Sequence, residues 1–190
     1  MNDLITDQNY RRINFKEEPI TADFELCTFE NCSFSEATIS HLSFTECTFE
    51  NCDFSGVKVI ATAIQECEFI SCKMLGINFE NCSDFLFQLN CKDCTLDFST
   101  FYKVDLRLSQ FTSCQLNQVD FTEANLTGIS LKNCELAGTI FQQTNLSNVD
   151  FSTATNYNIH PEQNKIKGAI FSNEGVKGLL QSYSIKIIDN

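Results

Sequence analysis

Residues 24 to 79 have the sequence FELCTFENCSFSEATISHLSFTECTFENCDFSGVKVIATAIQECEFISCKMLGINF, and this stretch decides the fold. In it, a large apolar residue returns at every fifth position. An α-helix would repeat such residues about every 3.6 positions and a β-strand every second position, so a period of five predicts a repeat architecture. The twelve positions are Phe24, Phe29, Phe34, Ile39, Phe44, Phe49, Phe54, Val59, Ile64, Phe69, Met74 and Phe79.

A second inward position precedes each of these residues by two places and often holds cysteine. A slower period lies inside the first, because Cys27, Cys47 and Cys67 are 20 residues apart, as are Cys32, Cys52 and Cys72. Four five-residue units per turn would stack every position on its equivalent in the next coil. The stacked sides would be parallel strands about 4.8 Å apart. The sequence therefore predicts about six coils over residues 23–153.

The phase of the repeat changes once, between Glu80 and Asp93. After this segment Cys94 lies 22 residues beyond Cys72 instead of 20, so two residues are inserted. We expect a bulge there, with Phe85 or Phe87 partly exposed, and the pattern does not fix the phases of Cys82 and Cys91. The later units centre on Leu96, Phe101, Leu106, Phe111, Leu116, Phe121, Leu126, Leu131, Leu136, Phe141, Leu146 and Phe151.

The units CTFEN, CDFSG, VDFTE, ANLTG and TNLSN resemble the repeats of the pentapeptide repeat family. The resemblance implies an all-β fold, a right-handed quadrilateral parallel β-helix with a side-chain-filled interior. Together with the terminal GVKGLLQSYSIKII, the repeats resemble the quinolone-resistance and microcin-immunity members. That likeness implies a DNA mimic that binds a type II topoisomerase, either DNA gyrase or topoisomerase IV, and protects or inhibits it.

The two ends depart from the repeat. Residues 1–22 are expected to cap the first coil, and residues 154–190 to form a C-terminal cap with a helix over 173–182 and a short strand in SIKII. This segment could close the coil or join two chains into a homodimer, since either arrangement would bury the same apolar residues. The residues proposed for a dimer contact are Val176, Leu179, Leu180, Tyr183 and Ile185.

Composition indicates one folded domain, with 190 residues, 43% of them hydrophobic, and 18 phenylalanines. The chain shows neither a signal-peptide pattern nor a run of 18 apolar residues, so we expect a cytoplasmic protein without membrane contact. The chain has eleven cysteines. We expect reduced thiols and not a disulfide framework, because this number is odd and the cysteines follow the repeat.

The net charge of −12 is concentrated in residues 23–80, where ten acidic residues stand against two lysines. Direct binding to nucleic acid is disfavoured, because contact with phosphates requires clustered lysine and arginine. Acidic side chains instead recur on two neighbouring sides of the predicted coil. We expect them to form a partner-binding surface of Asp23, Glu25, Glu30, Glu46, Glu50, Glu66 and Glu68.

The sequence offers little for catalysis or metal binding. Its two histidines, His41 and His160, lack a partner at a spacing that specifies a site, and the C-x2-C pairs of structural zinc sites are absent. No Gly-rich phosphate loop, HExxH or G-x-S-x-G occurs. We therefore expect a non-catalytic protein without cofactor or metal. Two functions remain open, the topoisomerase-binding DNA mimic and an acidic scaffold for an unrelated protein partner.

Overall fold

The computed structural model describes residues 2–188, and its strands are short and parallel. Two sheets run along the coil, and we call the sides that carry them side A and side B. Side A consists of β1 (Leu4–Thr6), β3 (Asp23–Glu25), β5 (Ser43–Thr45) and β7 (Ala63–Gln65). Side B consists of β2 (Asn9–Arg11), β4 (Thr28–Glu30), β6 (Thr48–Glu50), β8 (Cys67–Ile70), β9 (Leu89–Lys92), β10 (Gln110–Thr112) and β11 (Leu131–Lys132).

The remaining two sides are held by single parallel bridges. Side C begins with Asn14 paired to Ser33, and side D includes Thr38 paired to Lys58. Partners in the repeat are 20 residues apart, as in Phe24 with Phe44 on side A. The predicted fold class, a parallel quadrilateral β-helix, is therefore confirmed. No helix among residues 2–188 is long and apolar enough to cross a membrane.

The interior consists of columns of stacked rings. On side B the ring of Phe49 lies 4.8 Å from that of Phe29 and 4.8 Å from that of Phe69, with interplanar angles of 11°. On side D the rings of Phe79 and Phe101 lie 4.5 Å apart. Like residues stack because the strand register places equivalent positions of successive coils directly above one another. Burial of these large rings supplies the main driving force for the coil.

The smaller inward position has a chemical role that the sequence pattern did not reveal. The Cys52 thiol donates to the carbonyl oxygen of Phe29 in the preceding coil at 3.3 Å, and the Thr144 hydroxyl donates to that of Phe121 at 2.9 Å. A buried carbonyl without a donor would destabilise the fold. Cysteine, serine and threonine are thus suited to this position because each is small and carries a donor. All eleven cysteines are free.

Most corners are turned by a residue in the left-handed region of φ. Examples are Asn31 at 53°, Glu46 at 51° and Gly56 at 66°. Glycine and asparagine tolerate this conformation best, whereas residues with larger side chains are strained there. The side chains of these corner residues project away from the interior, which makes the corners the most prominent edges of the rod.

The phase change is a bulge on side A. The N–H of Ser83 donates to the carbonyl of Thr62 at 2.9 Å and that of Gln88 to the carbonyl of Ile64 at 3.0 Å, so residues 84–87 form the inserted loop. Phe85 is 68% exposed, whereas Phe87 is buried. The bulge ends the sheet of side A. Side B continues from β8 to β9, where paired residues are 22 positions apart in the sequence instead of 20.

The two cysteines of uncertain phase differ in environment. Cys91 pairs with Phe69 across β8 and β9 and takes the inward place that phenylalanine occupies in the neighbouring coil. Cys91 is buried, while Cys82, beside the 3₁₀ turn Phe79–Asn81, is half-buried. Cys82 is therefore the most accessible thiol of the protein.

Both ends extend the coil further than the sequence pattern indicated. Residues 4–11 already form β1 and β2, which pair with β3 and β4. At the other end, bridges link Thr155 to Glu135 and Ile170 to Asp150, so coil pairing passes the expected boundary at residue 153.

The final segment differs from the expected helix and strand. Over 173–182 the structure has two 3₁₀ turns, Gly175–Leu179 and Gln181–Tyr183, and residues 185–188 pair with no strand of the described chain. Glycine disfavours an α-helix, and Gly175 and Gly178 pack so closely on Tyr157 that a Cβ at either would clash with it. Another 3₁₀ turn, Pro161–Gln163, precedes this segment.

Candidate partner-binding surface

The seven acidic residues expected to bind a partner fall on side A, side B and the corner between them. Glu30, Glu50 and Glu68 lie on β4, β6 and β8 of side B. Asp23 and Glu25 lie on β3 of side A. The structure therefore brings these residues to two adjoining sides of the rod.

The corner between sides A and B carries Glu46 and Glu66 in successive coils. Both are exposed, with φ of 51° and 53°. The N–H of Glu46 donates to the carbonyl of Gln65 at 2.9 Å, so the backbone is fixed and the carboxylate is free to face solvent. The corner thus presents two carboxylates side by side, about one strand spacing or 4.8 Å apart in backbone position.

On side B the register pairs Glu30 with Glu50 across β4 and β6. Like charges directly opposite one another on a sheet repel. A cation relieves part of this repulsion, because Arg11 forms an ion pair with Glu30 at 3.0 Å. Among residues 2–188, none of the other six predicted acids forms an ion pair. The nearby lysines are used elsewhere, Lys16 with Glu36 and Lys73 with Asp53.

Asp23 differs from the other acids because its carboxylate is used within the chain. Its Oδ1 accepts a hydrogen bond from the N–H of Ser43 at 2.7 Å and another from Asn2 Nδ2 at 3.0 Å. These bonds connect the beginnings of successive coils on side A. Asp23 therefore has a structural role, and its capacity to bind a partner is smaller than that of the corner glutamates.

The acidic surface ends abruptly on side B. In the column of Glu30 and Glu50, the following strands hold Ile70 and then Lys92. Lys132 occupies the same column on β11. The acidic part of side B covers three neighbouring strands, about 10 Å along the rod. It is thus much shorter than one turn of a DNA duplex, which is about 34 Å.

The candidate dimer residues divide into two groups. Val176, Tyr183 and Ile185 are exposed, and Leu180 is half-buried, whereas Leu179 packs against the interior of the coil. Leu179 therefore anchors the segment to its own chain. The other four form an apolar surface at the C-terminal end of the rod, next to the exposed Ile187 and Ile188.

The environment of the accessible thiol does not favour catalysis. Cys82 lines a groove of about 320 Å³ together with Glu80, Tyr102 and Lys103. Burial, reinforced by the negative charge of Glu80, raises the pKa of Cys82 to about 12, so the unreactive thiol form dominates at neutral pH. Among residues 2–188, no cluster of three or more histidine, cysteine or acidic side chains is arranged to hold a metal ion.

Comparison with solved structures supports the fold. No curated protein sequence matches the chain. Two solved structures of trypsin-treated QnrB1, a plasmid-mediated fluoroquinolone resistance protein, are similar to it at 18% identity and a TM-score of 0.56. The alignment covers 98% of both chains for one form and 100% of both for the other. At this identity the likeness concerns the fold alone.

The sequence family is identified by a separate comparison. The family model described as a pentapeptide repeat region matches residues 22–84 and 62–151, which together include most of the chain. These are the residues whose five-residue period, stacked interior and left-handed corners have been described above. The chain belongs to the pentapeptide repeat family.

Proposed function

We propose that the protein is a non-catalytic interaction protein that binds a type II topoisomerase, DNA gyrase or topoisomerase IV, through its acidic surface. The observation that carries this proposal is the arrangement of Glu46, Glu50, Glu66 and Glu68, which project from adjoining sides of one rod without a cationic partner among residues 2–188. A DNA-binding groove is lined with cations that meet regularly spaced negative charge. The carboxylates would occupy part of such a groove in place of phosphates.

The rigidity of the coil supports this function. The backbone around the acids is held by hydrogen bonds between coils, such as the N–H of Asn51 to the carbonyl of Ile70 at 2.9 Å. The aromatic columns fill the space beneath them. Because the acids are already fixed in position, binding costs less conformational entropy than the binding of a flexible acidic tail would.

The apolar C-terminal surface would allow two rods to join end to end. A homodimer through Val176, Leu180, Tyr183 and Ile185 would be symmetric, and its two acidic surfaces would lie toward the far ends. Such symmetry suits an enzyme that is itself twofold symmetric. Leu180→Asp should convert this dimer to a monomer in analytical ultracentrifugation, because the charge would lie at the centre of the contact. An unchanged dimer would refute this contact.

Gyrase supercoiling in the presence of the protein tests the main proposal. Wild type should inhibit supercoiling or protect it from a quinolone, and less effectively as salt rises. The triple variant Glu46→Gln, Glu50→Gln, Glu66→Gln should lose at least about tenfold in potency, since three charge contacts are removed.

A matched control changes the net charge equally at other sites. Glu18, Glu80 and Glu135 lie outside the acidic surface, and their joint replacement by glutamine should leave potency within about twofold of wild type. Equal losses in both triple variants would show that net charge, and not this surface, governs binding. Absence of wild-type binding to gyrase and to topoisomerase IV at low salt would refute the topoisomerase as partner.

A second candidate is favoured by the shortness of the acidic surface. Because Lys92 and Lys132 interrupt it on side B, the surface also suits a protein whose basic groove is shorter than a duplex-binding channel. This partner would bind with the same salt dependence. Pull-down with washes of increasing salt distinguishes the two candidates, since a single salt-labile protein other than a topoisomerase would favour the unrelated-partner scaffold.

A further inference from the structure

The first coil leaves one edge of side B without a partner strand, because β2 is the last strand of that sheet. Alternate residues of β2 face β4. Tyr10 lies in that register, and the Arg12 N–H donates to the Glu30 carbonyl at 3.0 Å. The N–H and C=O groups of Asn9 and Arg11 therefore point away from β4, and no backbone group among residues 2–188 bonds to them. An open strand edge of this kind can pair with another strand.

The column of stacked rings on side B ends at the same edge. The ring of Tyr10 stacks on that of Phe29 at 4.9 Å with an interplanar angle of 10°, and no ring of residues 2–188 stacks on its other face. Tyr10 and the partly buried Ile5, Ile13 and Ile20 line an open hollow of about 400 Å³. The N-terminal end of the rod is thus an apolar surface that a further coil would cover.

We infer that this end binds a second copy of the chain, with the two β2 strands antiparallel across a twofold axis. Centred on Tyr10, the pairing would place Asn9 of each copy opposite Arg11 of the other. These are the residues whose N–H and C=O groups face the open edge, so each pair would exchange both of its N–H···O bonds. The same axis would stack the two Tyr10 rings and close the two hollows against each other.

Charges at the ends of β2 favour a second copy over an unrelated strand. Asp7 and Arg12 are exposed at the corners before and after β2, with φ of 54° and 56°, and neither forms an ion pair among residues 2–188. Within one chain their backbones are about 16 Å apart, too far for a strong attraction. In the antiparallel pair each Arg12 would lie about 6 Å in backbone position from Asp7 of the other copy. The twofold axis would therefore create two contacts between opposite charges.

The pairing would also lengthen the acidic part of side B. Glu30, Glu50 and Glu68 of both copies would lie on one face of the joined rods, with the Arg11 side chains between them. The β8 strands of the two copies would be about seven strand spacings apart, or about 34 Å, which is about one turn of a DNA duplex. This advantage rests on the function proposed above, whereas the contact itself does not.

The contact is small. One side of a coil is at most about 16 Å long, so the end of the rod would bury roughly 300 Å² on each chain, well below the about 800 Å² per partner of a standard interface. We expect a dissociation constant of about 0.1 to 1 mM. The variant Leu180→Asp, which lacks association at the other end, should therefore be monomeric at about 10 µM and dimerise as its concentration approaches about 1 mM.

Reversal of the corner charges in the Leu180→Asp chain tests the contact. In sedimentation velocity, Asp7→Arg and Arg12→Asp should each dimerise about tenfold more weakly, because every corner contact then joins like charges. An equimolar mixture of the two variants should dimerise like the Leu180→Asp chain, since one copy then carries only positive charge at these corners and the other only negative. The control Lys132→Glu makes an equal change of charge far along side B and should leave dimerisation unchanged.

The mixture distinguishes this contact from a general effect of charge. A Leu180→Asp chain that stays monomeric at about 1 mM would overturn the inference. Dimerisation that the corner variants leave unchanged, or that their mixture does not restore, would overturn it equally. Circular dichroism would check folding, and the combined variant of Asp7→Arg and Arg12→Asp gives a second test, because it should dimerise like the parent. None of these measurements involves a topoisomerase, so failure of this contact and failure of the proposed function are distinguishable.

Discussion

Replacement of Phe49 by alanine should test whether the stacked interior holds the rod together. The Phe49 side chain is 1% exposed and its ring lies 4.8 Å from the rings of both Phe29 and Phe69. Removal of a buried phenylalanine typically costs about 3 to 5 kcal/mol. Loss of two stacked pairs places this site toward the upper end of that range, so we expect about 4 to 5 kcal/mol.

Urea titration followed by circular dichroism would measure this free energy of unfolding. Phe49→Leu should cost only about 1 to 2 kcal/mol, because leucine fills the equivalent side-B position at Leu131. Phe85→Ala, at the exposed bulge, should change stability by less than about 0.5 kcal/mol. Phe49→Asp should prevent folding of the middle coils, since it buries an unpaired carboxylate. A cost below about 1 kcal/mol for Phe49→Ala, or an equal cost for Phe85→Ala, would refute the assignment of the interior.

Alkylation of the native protein should label Cys82 first, whereas denaturant should expose all eleven cysteines. Because burial and Glu80 raise the pKa of Cys82 to about 12, its labelling rate should rise about tenfold per pH unit from pH 8 to 11, and a plateau near pH 9 would contradict this. Thr144→Val removes the hydroxyl that donates to the Phe121 carbonyl, and it should cost about 1 to 3 kcal/mol by urea titration. The control Thr122→Val, on the outer surface, should cost little, and equal costs would show that the inward hydroxyl is dispensable.

The regular part of the fold was predictable because its physical cause is periodic. A large and a small side chain point inward in every unit, so the coil produces a five-residue period in the sequence. The five-residue period fails after Phe151. The next ring that points inward is that of Tyr157, which follows Asn156, a residue with a left-handed φ. Five-residue spacing returns only with Ile166 and Phe171. The pairing of residues 155–170 was missed because this local shift breaks the pattern while the backbone continues to coil.

The positions of the acidic residues on the candidate surface were predictable from the sequence, but their ion pairs and hydrogen bonds within the chain were not. Spacing by 20 correctly placed the corner glutamates in successive coils. It did not predict the ion pair of Arg11 with Glu30, because the first coil pairs with a register of 19 residues, as in Tyr10 with Phe29. The role of Asp23 depends on hydrogen bonds to Ser43 and Asn2, which follow from three-dimensional geometry and leave no signal in the sequence.

The bulge at residues 84–87 shows how the architecture accommodates added chain. The extra residues leave side A between Ser83 and Gln88, and side B resumes its pairing at β9 as though the chain had not been lengthened. Length on one side is therefore independent of register on the others. This makes the bulge a natural insertion point for engineering, where a foreign peptide could be displayed from the middle of the rod while the coils before and after it keep their alignment.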